Sequence, residues 1–172
     1  QIIEDFIVQK VDAIVLAPLD KKALIPVVEK LHTRKVPCAI IDSGIDTDKC
    51  VTFAATDNYQ GGVMAAKRMG AILGGKGKIV VVKYVPGSGS TTERENGFMD
   101  TIKKDFTGIT IVDDKYGQDT VETALQATED LLTKNPDLQG LYACNASTSV
   151  GAVQGLQTRK RTEVKMIGFD AE

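Results

Sequence analysis

The chain has 172 residues, 42% of them hydrophobic and 26% charged, a balance ordinary for a globular protein with room for one large domain or two small ones. A formal net charge of −2 argues against a nucleic-acid surface, which carries a basic excess, and no apolar run reaches the length of a membrane span. Cys38, Cys50, Cys144 and the single histidine, His32, form no metal-ligand spacing, so the cysteines read as buried thiols, with a Cys38–Cys50 disulfide as the alternative in an oxidising compartment.

The opening, "QIIEDFIVQK", has no initiator Met and reads as the middle of a helix, so both ends are expected to have been cut. Short apolar runs bounded by turn residues then recur: "DAIVLAP" (12–18), "CAIID" (38–42), "VTFAAT" (51–56), "KIVVVKY" (78–84), "ITIVDD" (109–114), "GLYACN" (140–145) and "VKMIGFD" (164–170). Most are continuous rather than alternating, which predicts strands buried on both faces of a parallel sheet. Between them, residues 20–34 carry Ala23, Leu24, Val27, Val28 and Leu31 at helical offsets, with Asp20 as N-cap. Pro26 argues against a start at 21, because a proline that deep costs a hydrogen bond. Helices are also predicted over 58–73, closed by Gly74-Gly75, and over 91–105, 119–134 and 147–158. Strand–helix alternation with short loops means βαβ units and an α/β fold with doubly wound parallel sheets.

The stretch "GSGSTTEREN" (87–96) admits three readings. A phosphate cradle fails: no Lys-Ser/Thr follows the glycines and the Gly-x-Gly-x-x-Gly spacing is incomplete. A helix cap fits, with Ser90 and Glu93 as a capping box. Neither explains Arg94, a cation in the first predicted turn, where the helix dipole opposes it. A surface ion pair with Glu93 or Asp100 is the plain account, and an arginine aimed at a ligand is the other.

Ligands of open α/β sheets bind beyond the carboxyl ends of the strands. Asp42, Arg94, Asn145 and Asp170 all stand on that predicted edge. Each can make paired hydrogen bonds, a set suited to a small polyhydroxylated ligand. Taken singly, an Asp or Asn there reads as a helix N-cap, as "NAST" (145–148) and Asp57-Asn58 illustrate.

"TDNYQGG" (56–62), "STTERENGF" (90–98), "LYACNA" (141–146) and "MIGFD" (166–170) resemble the ribose-type periplasmic sugar-binding proteins, the substrate receptors of ABC importers. The resemblance implies a two-domain periplasmic-binding fold with sugar in the interdomain cleft. It places a partial N-terminal subdomain at 1–57 and a C-terminal subdomain at 58–172, with hinge segments near 57 and after 170. It implies Asp42, Arg94, Asn145 and Asp170 as ligand-binding residues, no catalytic residue, no cofactor and no metal. Ala17 and Ser43 stand where ribose binders carry Asn and Arg, and Asp119 where they carry a stacking aromatic that nearby Tyr116 could replace. Ser43, Tyr116 and Asp119 are therefore further candidates for ligand contact, and a sugar or polyol other than ribose is expected. The implied partner is a membrane permease, the compartment periplasmic or extracytoplasmic, with a lipid anchor one form of attachment. The competing reading is the effector domain of a LacI-type regulator, which shares the fold. An enzyme is disfavoured, because His32 falls in the 20–34 helix, away from the strand-end edge.

Overall fold

The computed structural model describes residues 2–170. The chain falls into two compact units, one made of Gln1–Thr56 and Gly87–Ser90, the other of Asp57–Pro86 and Thr91–Glu172.

The first unit contains α1 (Ile2–Val8), β1 (Ile14–Leu16), α2 (Ile25–Thr33), β2 (Cys38–Ile41) and β3 (Thr52–Ala54). Its strands are parallel in the order β1-β2-β3, with Ile14 opposite Cys38 and Ile40 opposite Phe53. Ile14, Cys38 and Ile40 pack against Ile7 of α1 and Val28 and Leu31 of α2. Asp20 does not cap α2. Its Oδ1 accepts from the backbone N–H groups of Lys22 and Ala23 in the preceding turn, and the helix starts at Ile25. Pro26 thereby falls in the first helical turn, where a missing N–H costs nothing. Burial on both faces does not hold for this sheet: Val15 is 65% exposed and β3 is exposed throughout. All three cysteines are free, so no Cys38–Cys50 bridge forms; Cys38 and Cys144 are buried thiols as expected, while Cys50 is half-buried.

The second unit contains α3 (Asn58–Leu73), β4 (Lys76–Lys83), α4 (Gly89–Asp105, whose first two residues belong to the first unit), β5 (Gly108–Tyr116), α5 (Val121–Lys134), β6 (Gly140–Ala143), α6 (Ala146–Thr158) and β7 (Lys165–Gly168). The sheet is parallel, in the order β5-β4-β6-β7. Here the continuous apolar runs of the central strands β4 and β6 are buried on both faces, while those of the edge strands β5 and β7 are only partly covered. Ile79 and Val81 of β4 join Ala66 and Met69 of α3 and Phe98 and Ile102 of α4. Val80 and Val82 join Leu131 and Leu132 of α5 and Ala152 and Leu156 of α6. Each of the larger side chains among these, the Val, Leu, Ile, Met and Phe, contributes roughly 1.5–3 kcal/mol by leaving water. Val112 is an extra residue in β5, since Ile79 pairs with Ile111 but Val80 with Asp113. The strand continues past 114 to Tyr116, which pairs with Lys83.

One cap differs from expectation. Helix α4 begins at Gly89, so Ser90 lies inside its first turn, and the Ser90 N–H donates to Ser43 Oγ at 3.1 Å. The capping box is formed instead by Asn145 and Thr148 at the start of α6. In α3, Asp57 is the N-cap, accepting from the Gln60 N–H at 3.0 Å.

Candidate functional site

The carboxyl ends of β4, β6 and β7 bring polar groups together around the second turn of α4. Arg94 projects from that turn and is 8% exposed. Its Nε donates to Asn58 Oδ1 at 2.8 Å, and its Nη1 donates to the Cys144 carbonyl at 3.1 Å and to Asp170 Oδ1 and Oδ2 at 3.3 and 3.2 Å. The guanidinium carbon lies 3.8 Å from the centroid of the Phe169 ring, a cation–π contact. The plain account of Arg94 as a surface pair with Glu93 or Asp100 is therefore replaced by a buried bond network with its charge partner on β7's far end. Asp100 instead accepts from the Tyr59 hydroxyl at 3.2 Å. Because α4 starts at Gly89, Arg94 also stands deeper than the first turn, away from the strongest part of the dipole.

Asp170 follows β7 in a left-handed conformation, φ 67°. Its Oδ2 also accepts from the Ala146 N–H, the first residue of α6, at 3.1 Å. One carboxylate thus neutralises Arg94 and caps a helix end. Asn145 is half-buried, and its Oδ1 accepts from the Thr148 N–H and hydroxyl, while Nδ2 donates to Ser147 Oγ at 3.4 Å. For Asn145 the capping account is correct as far as its oxygen goes.

Arg94, Asn145 and Asp170 are thus neighbours in one unit. Asp42 follows β2 in the first unit, exposed and also left-handed at φ 63°. Ser43 is buried and its hydroxyl holds Ser90. Tyr116 lies beneath the Lys83 ammonium, 5.4 Å from the ring centroid, and Asp119 is exposed just before α5. Among the described residues, no group of three or more His, Cys, Asp or Glu side chains is placed to hold a metal ion.

Sequence reasoning read Asn58 only as a helix cap and missed Phe169 and Glu95. The signal for the first was the Gly61-Gly62 pair, costly inside a helix and thus a mark of close approach. A Cβ on Gly62 would lie 2.1 Å from the Arg94 carbonyl oxygen, and one on Gly97 2.0 Å from that of Tyr59. Only glycines let α3 and α4 cross closely enough for Asn58 to reach Arg94.

Glu95 is 4% exposed, with Oε1 accepting from the Tyr84 N–H at 3.1 Å and the Cys144 thiol at 3.4 Å. Burial pushes its carboxyl above the usual range, and these donors and Lys83 only partly restore it. The folded protein therefore binds a proton here to higher pH than the unfolded chain does. Stability falls as pH rises from the ordinary glutamate range through the raised value. Glu95→Gln is expected to flatten that fall, read by denaturant unfolding across a pH series. An unchanged slope would remove Glu95 as its source.

The whole chain, residues 1–172, matches the family described as the periplasmic binding protein domain. It is 33% identical over 169 residues to a ribose import binding protein of Bacillus subtilis, covering 98% of this chain and 54% of that protein. It is 30% identical over 177 residues to a D-ribose/D-allose-binding protein of Pseudomonas aeruginosa, covering 99% and 55%. The chain thus spans about half the length of these curated relatives. Its fold is similar to an ABC transporter solute-binding protein of Agrobacterium vitis with bound D-fucose, at TM-score 0.94 and 39% identity over 99% of this chain and 60% of that one. A carbohydrate transporter solute-binding protein of Agrobacterium radiobacter in complex with D-arabinose gives TM-score 0.92 and 36% identity, with coverage of 99% and 60%.

Proposed function

The chain belongs to the periplasmic binding protein domain family, and on that premise we propose that it binds a neutral sugar or polyol reversibly, as the receptor of an ABC importer. Its relatives are sugar-binding transport proteins and not enzymes. The observation that carries the reading is the Arg94 cluster: a buried guanidinium, a carboxylate and an amide at adjacent strand ends, beside an aromatic face. Such groups match ring and hydroxyl oxygens in number and polarity, since Arg only donates, Asp accepts, and Asn does both.

In this proposal Arg94, Asp170 and Asn145 bind the ligand from the second unit. Asp42 contributes from the first, the ligand lying in a cleft between two domains. The domain division at 57, with crossings near 57 and after 170, belongs to the same proposal. Ser43, Tyr116 and Asp119 are its outer candidates, with Ser43 already engaged to Ser90. A membrane permease is the proposed partner, and the proposed compartment is periplasmic or extracytoplasmic. Among the described residues no helix is long and apolar enough to cross a membrane.

The test is calorimetric titration of the purified protein against a panel of pentoses, hexoses and polyols. At least one member is expected to bind at one site and to be recovered unchanged. Absence of binding across the panel, or chemical turnover of a bound sugar, would overturn the reading.

A further inference from the structure

Arg94 is a ligand group only if its fork points the right way, and its side chain has many rotamers to choose from. Four contacts reduce that freedom. Nε is held by Asn58, Nη1 by the Cys144 carbonyl and Asp170, and one face by Phe169. These use Nε and Nη1. Nη2 takes none of the hydrogen bonds among the described residues, and it is not one of the buried polar atoms left without a partner. It is therefore the nitrogen left for a ligand.

We infer that Asn58 is a positioning residue for Arg94, fixing the guanidinium so that Nη2 faces the ligand. The inference rests on the sugar-binding reading for its effect on affinity. Asn58 is 8% exposed and sits at the first residue of α3, placed by the Asp57 cap and by the Gly62–Gly97 crossing. Arginine has no acceptor, so the atom that Asn58 presents to Nε must be its amide oxygen. Of the four contacts, the Asn58 bond alone engages Nε, the nitrogen that sets rotation of the fork about its stem. The Nη1 bonds and the Phe169 face leave the fork a pivot; the Asn58 bond locks it.

Asn58→Ala should weaken sugar binding by about tenfold, equivalent to about 1.4 kcal/mol, while Asn58→Asp, which keeps an acceptor at the same place, should bind close to the parent. In the Arg94→Ala background, Asn58→Ala should weaken binding no further, because the two residues act as one unit. Multiplying effects in that double variant, or parental affinity in Asn58→Ala, would overturn the inference. A readout independent of ligand is the Nε–H resonance of Arg94 by nitrogen-15 NMR, with circular dichroism confirming that each variant folds. It should be protected from solvent exchange in the parent and in Asn58→Asp, and exchange freely in Asn58→Ala. If the parent binds no sugar but this pattern holds, the functional reading fails and the positioning role stands. If Arg94 Nε–H stays equally protected in Asn58→Ala, the positioning role fails whatever the protein binds.

Discussion

Arg94→Ala is expected to weaken sugar binding by roughly a hundredfold and to lower stability at the same time. Charge-assisted hydrogen bonds to a desolvated ligand contribute about 1.5–3 kcal/mol, and 1.4 kcal/mol is a factor of ten. The loss should reach the upper part of that range, because removal of the guanidinium also releases Asp170, held by Nη1, from its place beside the Ala146 N–H. Arg94 is buried, so its replacement also costs the fold. Truncation removes a donor from the buried Cys144 carbonyl, at roughly 1–3 kcal/mol. Arg94→Lys separates charge from geometry: an ammonium cannot reproduce the fork, so most of the affinity should still be lost. Calorimetric titration alongside thermal unfolding measures both effects. Parental affinity in Arg94→Ala would end the proposal that the strand-end cluster is the site.

Gly62→Ala is expected to destabilise the second unit by about 3 kcal/mol, the upper end of overpacking costs. Alanine is worth about 1 kcal/mol over glycine in a helix interior, so propensity alone predicts the opposite sign. The new Cβ would meet the Arg94 carbonyl oxygen at 2.1 Å and the Phe98 nitrogen at 2.7 Å. Both are backbone atoms, which cannot rotate away as a side chain can, so the helices must part. Parting them draws Asn58 away from Arg94, and affinity should fall with stability. Lys67→Ala, on the exposed side of the same helix, should change stability by less than about 0.5 kcal/mol. Equal unfolding midpoints for Gly62→Ala and the parent would show that the crossing is not tight.

The strands and helices were legible because their signals are local. Buried β4 and β6 read as unbroken apolar runs, and α3 spans the predicted 58–73, opened by Asp57 and closed by Gly74. Pro26 correctly argued against an early start for α2. Less legible was how much of each run is covered. "VTFAAT" has the composition of a buried strand, yet β3 is exposed throughout, since coverage depends on which elements pack over it. Capping was ambiguous for a similar reason. Ser90-Thr91-Thr92-Glu93 and Asn145-Ala146-Ser147-Thr148 both carry the residues of a box, and only the contacts of the surrounding chain select the second.

For the candidate site, the residue types at the strand ends were readable without coordinates: Asp42, Arg94, Asn145 and Asp170 follow from strand boundaries and a fold class that periodicity implies. Only the tertiary structure decided what those residues touch. Arg94 meets Asn58 36 positions before it and Asp170 76 positions after it, and Asn145 spends its oxygen on Thr148. Periodicity reports the path of the chain over a few turns or one strand. A bond between distant positions depends on the distance at which helices and strands pack, and here that distance is set by two glycines whose missing Cβ atoms leave no periodic trace.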